Sequence, residues 1–240
     1  MIKNIKKSFE NPKTVARYLK ATQEIKLWKS EQIIIKKYFK KKSKILELGT
    51  GTGQVAFGLN ELNYKNITAL DNSNAMIEQA NKLVKNKNLN LKFLLQDACN
   101  LKFDNESFDN AIFAFNGWPG IVEEKNRIKV LKEVYRVLKK DGIFILSAHD
   151  RDELKYNKFR NLNLKNCPEL KMRKYGDLIY KNQENICDFI HLYTINELFN
   201  LIVKKTKFKV LEIINRDKNF KESEKVKQFS DNTIFWILQK

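Results

Sequence analysis

Lys44-Ile45-Leu46-Glu47-Leu48-Gly49-Thr50-Gly51-Thr52-Gly53-Gln54-Val55-Ala56-Phe57-Gly58 is the stretch from which the rest of this chain is read. An apolar run stops at three glycines spaced by two, and a helix-compatible run follows. Of the chain's 8 glycines, four (Gly49, Gly51, Gly53, Gly58) fall in this one window. A plain strand-to-helix turn needs one glycine, whereas several let the backbone approach a ligand closely. A strand that ends in glycines and opens a helix forms the mouth of a cofactor site in open α/β sheets.

The spacing then selects among cofactors. A dinucleotide fingerprint, G-x-G-x-x-G, requires glycine at position 54, where Gln54 stands. A phosphate-cradling P-loop requires Gly-Lys-Ser/Thr, which is also missing. The remaining pattern, apolar-apolar-Glu-apolar-Gly-x-Gly-x-Gly, resembles the first motif of the class I S-adenosylmethionine (SAM)-dependent methyltransferases. The resemblance implies SAM, a nucleoside cofactor without phosphates, held by Glu47, Gly49, Thr50, Gly51 and Gly53.

Outward from this stretch, the chain alternates apolar strands with amphipathic helices. Ile67 to Asp71 reads as a second strand, about twenty residues beyond the glycines, where a parallel strand places a carboxylate beside a ribose. Asp71, with Asn72 next to it, is the candidate; the competing role for Asp71 is capping the helix from Asn74 to Lys85, which Asn72, Ser73 or Asn74 could do instead. Leu91 to Gln96 is the third strand, and the resemblance gives Asp97 and Ala98 the adenine. Phe108 to Phe115 is the fourth. Its loop, Asn116-Gly117-Trp118-Pro119, departs from the Asn-Pro-Pro-Phe/Tyr of enzymes that methylate exocyclic amines of bases. Asn116 is expected at the mouth, and Trp118 and Phe115 are expected to face the donor, because aromatic faces stabilise a sulfonium cation. A helix over about Glu123 to Leu138 leads, through the turn Lys139-Lys140-Asp141-Gly142, to a fifth strand, Ile143 to Ser147.

The fold expected is α/β: a doubly wound, mostly parallel seven-stranded sheet whose last strand, Thr233 to Leu238, is antiparallel. One domain divides into an N-terminal helical lid (1–43), a cofactor-binding core (44–150), a substrate-covering insertion (151–192) and a C-terminal completion of the sheet (193–240). One long helical pattern covers Pro12 to Phe39, with Tyr18 and Trp28 as wall residues. Within the insertion, Met172 to Tyr180 and Asn185 to Tyr193 read as a hairpin. Thr194, three residues before Glu197, caps a helix that runs to Thr206, and Lys207 to Asn215 is strand six. His149 and His191 are the only histidines and the candidate proton acceptors at the mouth.

Lys and Arg number 46 against 28 Asp and Glu, a formal net charge of +18. A basic chain invites nucleic acid, but lysines sit everywhere here and form no stripe beside aromatics. Three cysteines (Cys99, Cys167, Cys187) show no C-x-x-C spacing, so neither a disulfide framework nor a metal site is expected, and a reduced, cytoplasmic setting follows. No apolar run reaches the roughly 18 residues of a membrane span. The leading reading is transfer of a methyl group to O or N of a small molecule. An RNA methyltransferase and a noncatalytic SAM-binding module are the alternatives.

Overall fold

Strand β1 (Lys44–Leu48) is the hub of the sheet: Ile45, Leu46 and Leu48 are 0% exposed, and each such side chain contributes about 1.5–3 kcal/mol on burial. A continuous apolar run, rather than an alternating one, is what a strand covered on both faces requires. The computed structural model describes residues 8–87, 89, 91–153, 167, 174–182 and 185–240. β1 pairs in parallel with β2 (Asn66–Asp71) and with β4 (Phe108–Phe113). β3 (Lys92–Leu95) continues the sheet beyond β2, and β5 (Leu138–Ala148) beyond β4, again in parallel. β8 (Lys209–Asn215) and β9 (Ile234–Gln239) complete it in the order β3-β2-β1-β4-β5-β9-β8. β9 runs against both of its neighbours. The strand order reverses between β1 and β4, so a crevice opens at their carboxyl ends.

Helices cover both faces. One core gathers α2 (Lys29–Tyr38), α3 (Gln54–Glu61) and α4 (Asn74–Lys87), through Ile34, Ile35, Val55, Leu59, Ile77 and Ala80. The other gathers α5 (Glu124–Val137) and α6 (Ile195–Lys205), through Val130, Leu131, Val134, Leu198 and Ile202. The expected cap of α6 is present: Thr194 Oγ1 accepts the Glu197 N–H at 3.1 Å, and Glu197 Oε2 accepts the Thr194 N–H at 2.9 Å. The hairpin is present too, as β6 (Asp177–Lys181) against β7 (Cys187–His191), antiparallel with Tyr180 opposite Asp188. Residues 154–166, 168–173 and 183–184 of the expected insertion lie outside the described residues.

Several expectations are corrected. The single helix from Pro12 to Phe39 is two, α1 (Pro12–Glu24) and α2. Lys26 breaks it at φ +58, and two side-chain bonds hold the break open. Gln54 Nε2 donates to the Lys26 carbonyl at 2.6 Å, and Glu31 Oε2 accepts the Trp28 N–H at 3.0 Å. Helical periodicity carries no information about a long-range anchor such as Gln54. The turn at Lys139–Gly142 is absorbed into β5, where Asp141 takes φ +63 and pairing shifts register between Phe108 and Asn110. Two short helices, α7 (Arg216–Asn219) and α8 (Glu224–Phe229), stand between β8 and β9. Cys167 and Cys187, read as unpaired, form a disulfide across 20 residues, which removes the support for a reduced compartment.

Candidate functional site

All three glycines of the turn have positive φ: Gly49 +63, Gly51 +56 and Gly53 +94. They do so for different reasons. A β-carbon on Gly49 would lie 2.4 Å from the Phe113 ring, and one on Gly53 2.8 Å from Phe57 and Phe93. Those two glycines let the turn pack against its own core. A β-carbon on Gly51 would meet only Tyr18 Cδ1, at 3.9 Å. Gly51 therefore presents bare backbone to the space beneath Tyr18, where a ligand would lie against it.

Asp71 ends β2 and turns back to this loop. Its Oδ2 accepts the Gly51 N–H at 2.9 Å, and its Oδ1 accepts the Ser73 N–H at 2.9 Å. Burial raises its pKa, while the N–H groups of Ser73, Gly51 and Asn72 work in the opposite direction. Capping of α4 falls elsewhere: Ser73 Oγ accepts the Met76 N–H at 3.2 Å, and Glu10 accepts the N–H groups of Asn74 and Ala75 at 2.9 and 3.1 Å. Asn72 is exposed beside it. At the end of β3, Asp97 is exposed, with Oδ1 taking the Cys99 N–H at 2.8 Å, and Ala98 is half-buried.

Glu47 lies between Leu46 and Leu48, whose side chains belong to the α5/α6 core, so its own side chain points to the opposite face. It is 2% exposed, and burial pushes its pKa well up, with the neighbouring charge of Glu31 acting in the same sense. Among the described residues neither Glu47 Oε2 nor Thr50 Oγ1 has a hydrogen-bond partner. The Thr50 hydroxyl lies near enough to lower the Glu47 pKa without reaching bonding geometry. Orphaned polar atoms, a bare glycine backbone and a carboxylate at the next strand end fit a ligand with hydroxyls and a charged end.

At the end of β4, Phe115 and Asn116 take φ +52 and +55 in succession. Consecutive left-handed residues other than glycine cost energy and mark functional sites. Phe115 meets Trp28 edge-on at 4.9 Å. The Asn116 N–H donates to Ser147 Oγ at 2.9 Å, while its buried Oδ1 has no partner among the described residues. Trp118 departs from its expected place. It belongs to the α5/α6 core, its Nε1–H donates to the Arg127 carbonyl at 2.9 Å, and its ring stacks on Tyr193 at 5.6 Å. The two left-handed residues turn the chain so that Phe115 packs against Trp28 and Phe229 instead.

The histidines are also drawn away. His149 Nδ1 is 2.7 Å from the Asn232 carbonyl, and its ring lines a crevice with Tyr193 and Leu198. His191 is 3% exposed, with Nδ1 2.7 Å from Asp177 Oδ1 and its ring against Tyr193 at 4.3 Å. Burial lowers its pKa, which outweighs the opposing carboxylate of Asp177, so its neutral form dominates at pH 7.

The N-terminal segment closes the other side. Thr22 and Thr52 share a buried 2.6 Å hydrogen bond, tying α1 to the glycine turn. Phe229 on α8 meets Tyr18 edge-on at 6.2 Å and Phe115 at 6.3 Å. A groove of about 400 Å3 between α1 and α8, bordered by Arg17, Lys20, Glu24 and Lys225, ends on that same Phe229. The hairpin adds Ile179 and Phe189, packed with Val122, Cys167 and Phe9. Trp28 was expected as a wall residue, whereas no sequence motif marks Glu31 or Phe229, whose positions depend on packing between distant segments.

Residues 45–142 match a family model described as a methyltransferase domain. A ubiquinone/menaquinone biosynthesis C-methyltransferase, UbiE, of Rickettsia massiliae is 30% identical over 197 residues, covering 76% of this chain and 74% of that one. A SAM-dependent methyltransferase structure from Methanosarcina mazei superposes with a TM-score of 0.70 at 22% identity, over 86% of this chain and 96% of its own. A 1,6-didemethyltoxoflavin-N1-methyltransferase of Burkholderia thailandensis, solved with 1,6-didemethyltoxoflavin and S-adenosylhomocysteine, gives a TM-score of 0.63 at 14% identity, over 98% and 84%.

Proposed function

The chain belongs to the class I SAM-dependent methyltransferases, and from that premise we propose that it transfers the methyl group of SAM to oxygen or nitrogen of a small-molecule acceptor. SAM supplies a methyl group already activated on a sulfonium. What remains for the protein is to align donor and acceptor and to exclude water. Glu47, Thr50 and the Gly51 backbone hold the charged end of the donor and its thioether region. Asp71 takes the ribose hydroxyls, and Asp97 with the Ala98 amide takes the adenine. Tyr18 and Phe115 wall the reacting centre, and the hairpin with α1 forms the cover.

The observation that carries the acceptor class is Asn116 Oδ1, a buried acceptor with no partner among the described residues, on the strained end of β4. An O–H or N–H nucleophile would donate to it and be aimed by it. The groove between α1 and α8 is the route of entry, and its Arg17, Lys20 and Lys225 suit an acidic molecule. His149 and His191 are held by Asn232 and Asp177, so they serve to position the hairpin and the end of β5. Methylation at carbon is the second reading, favoured by the name of the Rickettsia relative. The test is a screen of metabolite fractions with 13C-methyl SAM, read by NMR. An oxygen- or nitrogen-bound methyl supports the first reading and a carbon-bound methyl the second. Label in RNA alone overturns both.

A further inference from the structure

The start of α2 buries polar atoms that no described residue satisfies: Trp28 Nε1, Ser30 Oγ and Glu31 Oε1. Glu47 Oε2, on the face of β1 away from the α5/α6 core, and Thr50 Oγ1 are equally unmatched. Glu31 and Glu47 are each 2% exposed, and the charge on one acts on the other. The N-terminus of α2 does not account for these atoms. Glu222 already accepts the N–H groups of Lys29 and Ser30 at 3.2 and 2.7 Å, and Glu31 Oε2 accepts that of Trp28. Leaving a buried polar group unmatched costs more than making its bond gains, and the unmatched set here holds two carboxyl oxygens, an indole N–H and two hydroxyls. The complement of that set is a zwitterion, with an ammonium that only donates and a carboxylate that only accepts.

We infer that Glu31 is a second carboxyl, beside Glu47, for the α-ammonium at the amino-acid end of the donor, with Trp28 Nε1–H and the Ser30 hydroxyl facing its carboxylate. This rests on the reading of the site as a SAM site. It gives the N-terminal helices a share in cofactor recognition through α2, and it explains why Gln54 and Thr52 tether the α1–α2 break to the glycine turn. The charged groups that face Glu31 are Glu47 from β1, Glu222 ahead of α8 and Arg216 from α7. Before the ligand binds, burial holds the Glu31 proton up to about pH 8, Glu222 adding to this and the Trp28 N–H and Arg216 opposing it. An ammonium placed beside it favours the ionised form, so binding near neutral pH releases a proton.

The experiment compares S-adenosylhomocysteine with 5′-methylthioadenosine by calorimetry, in buffers of different ionisation enthalpy. The two share adenine, ribose and thioether, and only the first carries the amino-acid end. Glu31→Gln keeps a side-chain oxygen for the Trp28 N–H, so the start of α2 survives. Expected is a loss of about tenfold or more for S-adenosylhomocysteine, no loss for 5′-methylthioadenosine, and less proton release on binding the former. Equal losses for both ligands, or no loss for either, would overturn the role of Glu31 and leave the SAM site standing. A native protein that binds neither ligand would overturn the SAM site and this inference together.

Discussion

Gly51 and Asp71 stand 20 residues apart and meet in one 2.9 Å hydrogen bond, so the loop and the carboxylate are set by each other. Asp71→Ala should leave the far-ultraviolet circular dichroism unchanged, because Ser73 and Glu10 cap α4 without it. Its dissociation constant for S-adenosylhomocysteine should rise about tenfold or more, the consequence of losing charge-assisted bonds; an unchanged constant would return Asp71 to a local turn. The glycines separate in the same way. Alanine at either Gly49 or Gly51 meets a left-handed backbone, at a cost of about 1–2 kcal/mol. At Gly49 the collision with Phe113 adds to it. Gly49→Ala should therefore lower Tm more, and Gly51→Ala should lower affinity more than stability. Glu31 gives a prediction in pH. Its folded pKa of about 8 lies above its ordinary 4.5. The proton is held in the folded chain and lost from the unfolded one as pH rises through that window, so stability falls from about pH 4.5 to about pH 8 and then levels. The Tm of ligand-free Glu31→Gln, scanned over pH, should lack that part of the fall; a slope identical to the native one would refute the raised pKa.

Among the elements, the hairpin β6–β7 depends on contacts that the sheet does not. Among the described residues its two strands pair only with each other, and Cys187 on β7 is tied to Cys167, 20 residues earlier. A covalent closure of that length is worth about 3 kcal/mol on the chain-entropy model, confined to the segment it closes. Reduction should therefore speed amide exchange in 177–191 and leave exchange in β1, β4 and β5 as it was. Faster exchange throughout the sheet would place the disulfide in the global fold. The elements of the core were legible in the sequence because their residues act locally or in strict period: the Thr194–Glu197 cap of α6, and the Met76, Ile77, Ala80 and Leu83 face of α4. The break in the N-terminal helix was not, because Gln54, from beyond the run, holds the Lys26 carbonyl at the break.

For the whole molecule, a formal charge of +18 is the property that most invites a nucleic-acid partner. If the lysines are spread without a cognate site, RNA should bind weakly and be lost steeply between low and near-physiological salt, as phosphate contacts lose counterion release. A titration of cellular RNA against a random oligonucleotide at both salts checks this, with label from SAM followed alongside. A discrete RNA that stays bound and takes up methyl groups at the higher salt would displace the small-molecule reading. The sequence by itself determined the sheet, the family and the residues of the glycine turn. A strand, its glycines and the acid one strand later are short-range patterns with fixed spacing, and no other part of the chain is needed to read them. Tertiary structure alone decided the rest of the site. Of the two aromatics expected at the donor, Trp118 went to the α5/α6 core while Phe115 packs against Trp28 and Phe229, because two left-handed residues redirect the chain after β4. The two histidines went to Asn232 and Asp177. Glu31, which no sequence pattern singled out, is a buried carboxyl whose charge acts on Glu47, and burial follows from packing between distant segments, which spacing along one segment does not encode.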